Sequence, residues 1–481
     1  MPLVLGVDCS TQSTKVELRD ADSGALVGEG RAPHPPTTPP RSEQDPARWW
    51  EALGLAAAAA LARPGLARSV GAVSVAAQQH GLVALDSGGE VLRPAKLWND
   101  TESAPDADWL VGALGGPQRW AQACGSVPTA AFTVAKLSWL HRQEPAAFGA
   151  LTHVLLPHDW LSYRLSGALV TDRGDASGTG YWSPAEERWR PDLLAVVAAD
   201  KDWGEMLPRV LGPAEAAGAL TPAAAGHLGV AAGLPVGPGT GDNMGAALRL
   251  AMAPGDVAVS IGTSGTVYTV SPAPTADALG EVAGFADATG RYLPLVCTLN
   301  ATRVTDAMAR LVGLDRAEFA AAALSAPAGA GGVVLVPYFD GERTPNRPRA
   351  TGLLGGLRSD VEPALVARAS FEGVVAGLLE GLDALVRAGV ASPARLLLTG
   401  GGARDPAYRR VLADLAQLPV VVPEGVEHVA GGACVQAAAV LHGCAPEEVA
   451  RAWAGPPAAE VDPDPGVEAR AVRAAYAGLR G

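Results

Sequence analysis

The chain has 481 residues, 48% of them hydrophobic and 18% charged, with Gly 58 and Pro 39 scattered among apolar segments. At about 100 to 200 residues per domain this reads as two or three packed domains and excludes a disordered chain. The formal charge of −13 excludes a broad basic face for nucleic acid or an anionic membrane, so any phosphate must be held locally.

Lysine occurs only at Lys15, Lys96, Lys136 and Lys201, never after a glycine, which excludes a P-loop ending in Gly-Lys-Ser/Thr. Cys9, Cys124, Cys297, Cys434 and Cys444 are far apart and never form a C-x-x-C pair, so neither a disulfide framework nor a zinc cluster is expected. No basic segment precedes the apolar Leu3 to Val7, and the longest apolar run, Leu53 to Ala62, stops at Arg63-Pro64. The expectation is a soluble cytoplasmic protein.

In chain order, short apolar runs at Leu3 to Val7, Val70 to Ala76 and Leu151 to Leu155 alternate with helical stretches at Pro46 to Arg63 and Ala130 to Arg142. That alternation predicts an α/β class. A helical pattern from Asn243 to Met252 stops at Ala253-Pro254-Gly255, which marks the joint between two halves, 1–250 and 251–481. Beyond it come strands at Val257 to Ile261, Val267 to Val270, Gly332 to Val336 and Leu396 to Thr399, and helices at Ala364 to Ala388 and Pro406 to Gln417.

Each half opens with the same device. Leu3 to Val7 runs through Asp8-Cys9-Ser10-Thr11 into the alternating Thr14 to Arg19, and Val257 to Ile261 runs through Gly262-Thr263-Ser264-Gly265 into Thr266 to Val270. Two such hairpin turns can offer backbone N–H groups and small hydroxyls to one anion, which binds phosphate without lysine. Asp8 stands where a Mg²⁺ on that phosphate needs an oxygen ligand. Either turn alone is more simply a hairpin closure; the pair favours phosphate.

A third cluster, Gly400-Gly401-Gly402-Ala403, joins a buried strand to a helix and lets backbone approach a flat or charged ligand. It lacks the G-x-G-x-x-G spacing of a dinucleotide site. Gly241-Asp242-Asn243 opens a helix; it reads either as an ordinary Asp N-cap or as a carboxylate able to take a sugar proton while the amide orients the sugar. Gln78-Gln79-His80 and Trp98-Asn99-Asp100 follow strands, where ligands of α/β sheets collect, and combine amides, an imidazole, an indole and a carboxylate suited to a polyhydroxylated ligand. The remaining histidines, His158 among them, read as structural, and Trp49, Trp50, Trp109 and Trp139 as core or interface residues.

These blocks, with Ser42 to Pro46, Leu155-Leu156-Pro157 with Asp159, and Gly341 to Pro345, resemble the FGGY family of carbohydrate kinases from Gly6 to about Val440. The resemblance is greatest to the members acting on the ketopentose D-xylulose. It implies an actin-like ATPase (ribonuclease-H-like) fold, with two related domains around a central cleft, and ATP-dependent, Mg²⁺-assisted phosphorylation of a sugar hydroxyl. Asp242 falls on the family's catalytic base and Asp8 on the carboxylate associated with Mg²⁺. Ser10, Thr11, Lys15 and Gly262 to Ser264 fall on the phosphate side, and Gly400 to Ala403 on the adenosine side. Gln79, His80, Trp98, Asn99, Asp100 and Asn243 fall on the sugar side. Ser10 replaces the usual Gly, and Gln79 replaces a common Met.

Because phosphoryl transfer passes through a loose transition state, Asp242 is not required to have a strongly raised pKa. The acceptor positions Gln79-His80 disfavour a glycerol kinase. Ribulokinase and gluconokinase stay open, as does, from another class, a chaperone- or filament-type ATPase of the same fold. A NAD-dependent enzyme lacks its fingerprint. No nucleic-acid or membrane partner is expected, and a homodimer is left open.

Overall fold

The structure is a computed structural model that describes residues 2–390, 392–425 and 427–481. The chain divides into two compact units, the first holding 1–252, 272–293 and 428–454, the second 253–271, 294–427 and 455–481. The joint at Ala253 is therefore where the chain first leaves the first unit, and two later segments return to it.

In the first unit, Leu3–Cys9, Ser13–Asp20 and Leu26–Pro33 form an antiparallel meander. Val70–Ala77 lies parallel to Leu3–Cys9 on its other side, and both Pro235–Val236 and Thr240–Gly241 run parallel to Val70–Ala77. Leu3–Cys9 is buried at every position, as a central strand covered on both faces must be. Leu5 and Val7 join one core with Trp49, Leu53 and Ala56 of the helix Pro46–Ala60. That helix starts where Asp45 accepts the Ala47 N–H at 2.9 Å and Pro46 fills the first turn. Gly6, of opposite parity, lies under the helix Val429–His442, and a Cβ there would stand 2.2 Å from the Ala430 carbonyl oxygen. Trp49 and Trp139 are core residues as expected, whereas Trp109 is exposed.

In the second unit, Asp256–Ile261, Gly265–Thr269 and Tyr292–Thr298 form the meander. Arg395–Thr399 then runs parallel to Asp256–Ile261, and Val420–Val422 runs parallel to Arg395–Thr399. The helix Pro363–Arg387 comes close to this sheet at Gly381, whose added Cβ would meet Val296 Cγ1 at 3.0 Å. The same order of antiparallel meander and parallel strands thus occurs twice, which is the ribonuclease-H-like pattern of the actin-like ATPase fold.

None of the five cysteines is in a disulfide. No single helix among the described residues is long and apolar enough to cross a membrane. The bent pair Val429–His442 and Pro446–Ala452 reaches that length together, but the first of them is core to its unit.

Candidate active site

Parallel pairing of Thr240–Gly241 with Ala76–Ala77 brings two distant loops out at the same sheet edge. Gln79 leaves one strand as Asp242 leaves the other, at the carboxyl ends where ligands gather. Gly241 is required by this approach, since a Cβ would sit 2.6 Å from Gln79 Cγ. Asn243 Nδ2 donates to Asp242 Oδ1 at 2.8 Å and to Gln79 Oε1 at 3.0 Å. The N-cap position belongs to Gly241, so Asp242 is the first residue of the helix Asp242–Arg249 and is not its cap.

Burial raises the Asp242 carboxyl to about 7, with the charge of Asp175 adding to the rise and the hydrogen bonds from Asn243 opposing it. A loose transition state does not require so raised a carboxyl; it arises because the surrounding protein removes water from Asp242 and its two Asn243 donors do not compensate.

His80 takes a positive φ of 65°, a costly conformation for a residue with a Cβ. Its ring stacks on Phe132 at 5.2 Å and lies 5.3 Å from Phe285. Phe285 carries no sequence signal for this role, because it reaches His80 only through the returning segment 272–293. Gln78 Nε2, Gln79 Nε2 and Asn99 Oδ1 are buried without a hydrogen-bond partner among the described residues. Such groups cost free energy unless a polar ligand satisfies them. Trp98 Nε1 donates to Thr11 Oγ1 at 2.9 Å, and Thr11 Oγ1 donates to Gln78 Oε1 at 3.0 Å, tying the first turn to the loops at Gln78 and Trp98.

Asp100 departs from its expected contact with the sugar. It is fully buried, 3.1 Å from Lys96 Nζ, and it accepts the Ser42 N–H at 2.9 Å. Glu43, Asp100 and Glu102 cluster closely enough to hold a cation, but Lys96 Nζ stands 3.0 Å from Glu43 and 2.6 Å from Glu102 and supplies the positive charge. Asp100 is thus a brace for the Trp98-Asn99 loop.

In the first turn, the Ser10 hydroxyl donates to the Ser13 carbonyl at 3.0 Å, so this side chain and that of Thr11 are both engaged within the protein. Lys15 is also committed, 2.9 Å from Glu17 and 3.6 Å from Glu29. Asp8 is a buried carboxylate near the end of its strand. One hard oxygen donor suits Mg²⁺, which keeps most of its ligands as water and phosphate oxygens.

In the second unit the turn Gly262-Thr263-Ser264 is braced by the start of the helix Thr302–Val312: Thr302 N–H donates to the Gly262 carbonyl at 2.9 Å and Ala301 N–H to that of Thr263 at 3.2 Å. Thr263 is exposed at its tip. Gly400 has φ 78°, and a Cβ there would meet the Ile261 oxygen at 2.6 Å; one at Gly402 would meet Ile261 Cγ2 at 2.5 Å. Those two glycines are needed for packing, while Gly401 is exposed and faces open space. Ala403 is buried in the same turn.

Behind Asp242 lies a cluster around His158, a residue expected to be structural. His158 Nδ1 is 2.8 Å from Asp175 Oδ2, and its Nε2 is 3.1 Å from Asp159 and 3.6 Å from Asp172. Thr240 Oγ1 donates to Asp172 Oδ2 at 2.8 Å. The available signal was four ionisable residues, His158, Asp159, Asp172 and Asp175, bordering otherwise apolar segments.

Residues 3–249 match the N-terminal domain, and residues 257–441 the C-terminal domain, of the FGGY family of carbohydrate kinases. With the doubled fold and the Asp242 site, this chain belongs to that family and is a carbohydrate kinase. It is 48% identical over 460 residues to the xylulose kinase of Streptomyces coelicolor, covering 95% of this chain and 92% of that one. It is 47% identical over 467 residues to the xylulose kinase of Streptomyces rubiginosus, covering 96% and 94%. The crystal structure of xylulose kinase from Bifidobacterium adolescentis superposes with a TM-score of 0.89 at 42% identity, covering 100% of this chain and 99% of that one.

Proposed function

We propose that this chain transfers the γ-phosphoryl group of ATP to D-xylulose, forming D-xylulose 5-phosphate and ADP. The observation that carries the reading is the Asp242–Asn243–Gln79 constellation: a half-buried carboxyl raised to about 7, bonded through one amide to a second amide with an unused donor. The likeness to xylulose kinases over nearly the whole chain supports the choice of sugar.

In the step we infer, the sugar hydroxyl oxygen attacks the γ-phosphorus, the bond from phosphorus to the β,γ-bridging oxygen breaks, and Asp242 accepts the hydroxyl proton. A base with a carboxyl near 7 is matched to neutral solution. Asn243 and Gln79 orient the acceptor, with His80, Trp98 and Asn99 forming the rest of its surroundings and Asp100 bracing their loop. The Ser10 and Gly262 N–H groups close the two turns onto the carbonyls of Ser13 and Ser264, so phosphate oxygens are held by the backbone at the tips, Thr11 in one turn and Thr263 and Ser264 in the other. Lys15 adds its charge from a distance, because its ammonium is paired. Gly401 offers open backbone to adenosine, with Gly400, Gly402 and Ala403 shaping the turn. Asp8 would hold Mg²⁺, which when bound would supply charge neutralisation on the phosphates. Cytoplasmic ATP and a free ketopentose are the partners this requires.

The test is ADP formation with ATP and Mg²⁺ across pentuloses, hexuloses, gluconate and glycerol. The expected result is the highest kcat/KM for D-xylulose and slow ADP formation without sugar. Preference for D-ribulose or gluconate overturns the choice of sugar, and sugar-independent ADP formation overturns the kinase reading itself.

A further inference from the structure

We propose that His158, Asp172 and Asp175 are positioning residues that hold the Thr240–Gly241 strand, and with it Asp242, in register with the sugar-side residues. The inference rests on Asp242 being the base. His158, Asp159, Asp172, Asp175 and Thr240 are at most 4% exposed. A buried cluster of three carboxylates around one imidazole is costly compared with an apolar core of equal volume, so its place beside this strand calls for a role.

Three contacts join the cluster to the site. Asp172 accepts the Thr240 hydroxyl at 2.8 Å and the Gly174 and Asp175 N–H groups at 2.9 Å each, so one carboxylate fixes both the strand before Asp242 and the short helix Arg173–Ala176. The His158 ring comes so close to Gly239 that a Cβ there would stand 2.5 Å from its Cδ2. At the other end of the same segment, a Cβ on Gly178 would stand 2.1 Å from His80 Cε1. One stretch, 172–178, therefore touches both the strand bearing the base and the histidine of the acceptor side.

The charges facing His158 are Asp159 on its own helix, Pro157–Ser166, and Asp172 and Asp175 on the adjoining segment, with Tyr181 near Asp159 and Asp175. The strand Val70–Ala77 beside it brings no ionisable group. Of the helices packed on Pro157–Ser166, Pro46–Ala60 carries Arg48 and Glu51, paired with each other, and Pro222–Leu228 carries His227, engaged by the Trp50 carbonyl. Arg173 turns away to Glu187. Asp242 itself faces Asn243 and the charge of Asp175.

The cluster's two signs of charge give a test that a purely structural role does not pass. Asp175→Asn removes a negative charge and His158→Gln a positive one. Single-turnover transfer from ATP to D-xylulose is measured from about pH 5 to 9, with melting temperatures recorded alongside. The expected result is an acid limb moved down in Asp175→Asn and up in His158→Gln, each by about half a pH unit or more, with KM for ATP unchanged. Folded variants whose limbs stay in place, or move the same way, overturn the inference. If either variant fails to fold, Thr240→Val decides: kcat is expected to fall about tenfold with KM for ATP kept, and to return with Thr240→Ser. Wild-type kcat in Thr240→Val overturns the proposal. A wild-type profile with no acid limb, or full turnover in Asp242→Asn, overturns the base assignment beneath it.

Discussion

Asn243 Nδ2 donates at once to Asp242 Oδ1, at 2.8 Å, and to Gln79 Oε1, at 3.0 Å. One amide thereby fixes the orientation of the proposed base and of the neighbouring amide proposed to face the acceptor. Asn243→Leu keeps the volume and removes both bonds. Losing a hydrogen bond to an ionisable partner costs about 2 kcal/mol, so kcat/KM for D-xylulose is predicted to fall about thirtyfold with KM for ATP unchanged. Steady-state kinetics with each substrate varied in turn checks this, and an equal loss for both substrates contradicts it.

Asp242 must be ionised to accept a proton, and burial raises its carboxyl to about 7. The rate of transfer is therefore predicted to be half-maximal near pH 7, nearly full about one unit above it, and to fall tenfold per unit well below it. A pH–rate profile flat down to pH 5 contradicts the raised carboxyl.

His158 bears on stability. Burial opposes its charged form, but Asp159, Asp175 and Asp172 outweigh burial and raise it to about 9. The folded state then binds the proton more tightly than the unfolded chain, whose histidine titrates near 6.5. That contribution is complete below about 6.5 and disappears as pH rises through about 9. The melting temperature is predicted to fall over this window, and to fall less in His158→Gln; thermal unfolding at several pH values reads both.

Gly432 lies in the helix Val429–His442, where helix propensity alone favours Ala by about 1 kcal/mol. A Cβ there would stand 1.9 Å from the Gly245 carbonyl oxygen, on the helix that begins with Asp242. Overpacking costs about 1 to 3 kcal/mol, so the clash wins and Gly432→Ala is predicted to destabilise. Gly478, in the terminal helix Ala469–Arg480, has nothing within 4 Å of such a Cβ, and Gly478→Ala is predicted to stabilise slightly. Opposite signs in thermal melts are the expected outcome.

The two opening hairpins were legible because alternation and a Gly/Ser/Thr turn are local signals, and both appear as drawn, at Leu3–Asp20 and Asp256–Thr269. The meeting of Gln79 with Asn243 was legible only through the family resemblance and not from local pattern, since it depends on a parallel pairing across 164 residues of chain. Asp100 misled for the same reason: its sequence neighbours Trp98 and Asn99 flank a loop, while its carboxylate is taken by Lys96 on the strand before. Local pattern identifies which residues are polar at a strand end. Only the register decides which of them face a ligand and which face each other.

The proposed role of Asp242 is to accept the proton of the sugar hydroxyl. Single-turnover ADP formation by Asp242→Asn with ATP, Mg²⁺ and D-xylulose tests it most directly, with nucleotide affinity measured in parallel. The expected result is a loss of about 10² to 10⁴ in rate with ATP binding retained. Turnover at the wild-type rate contradicts it.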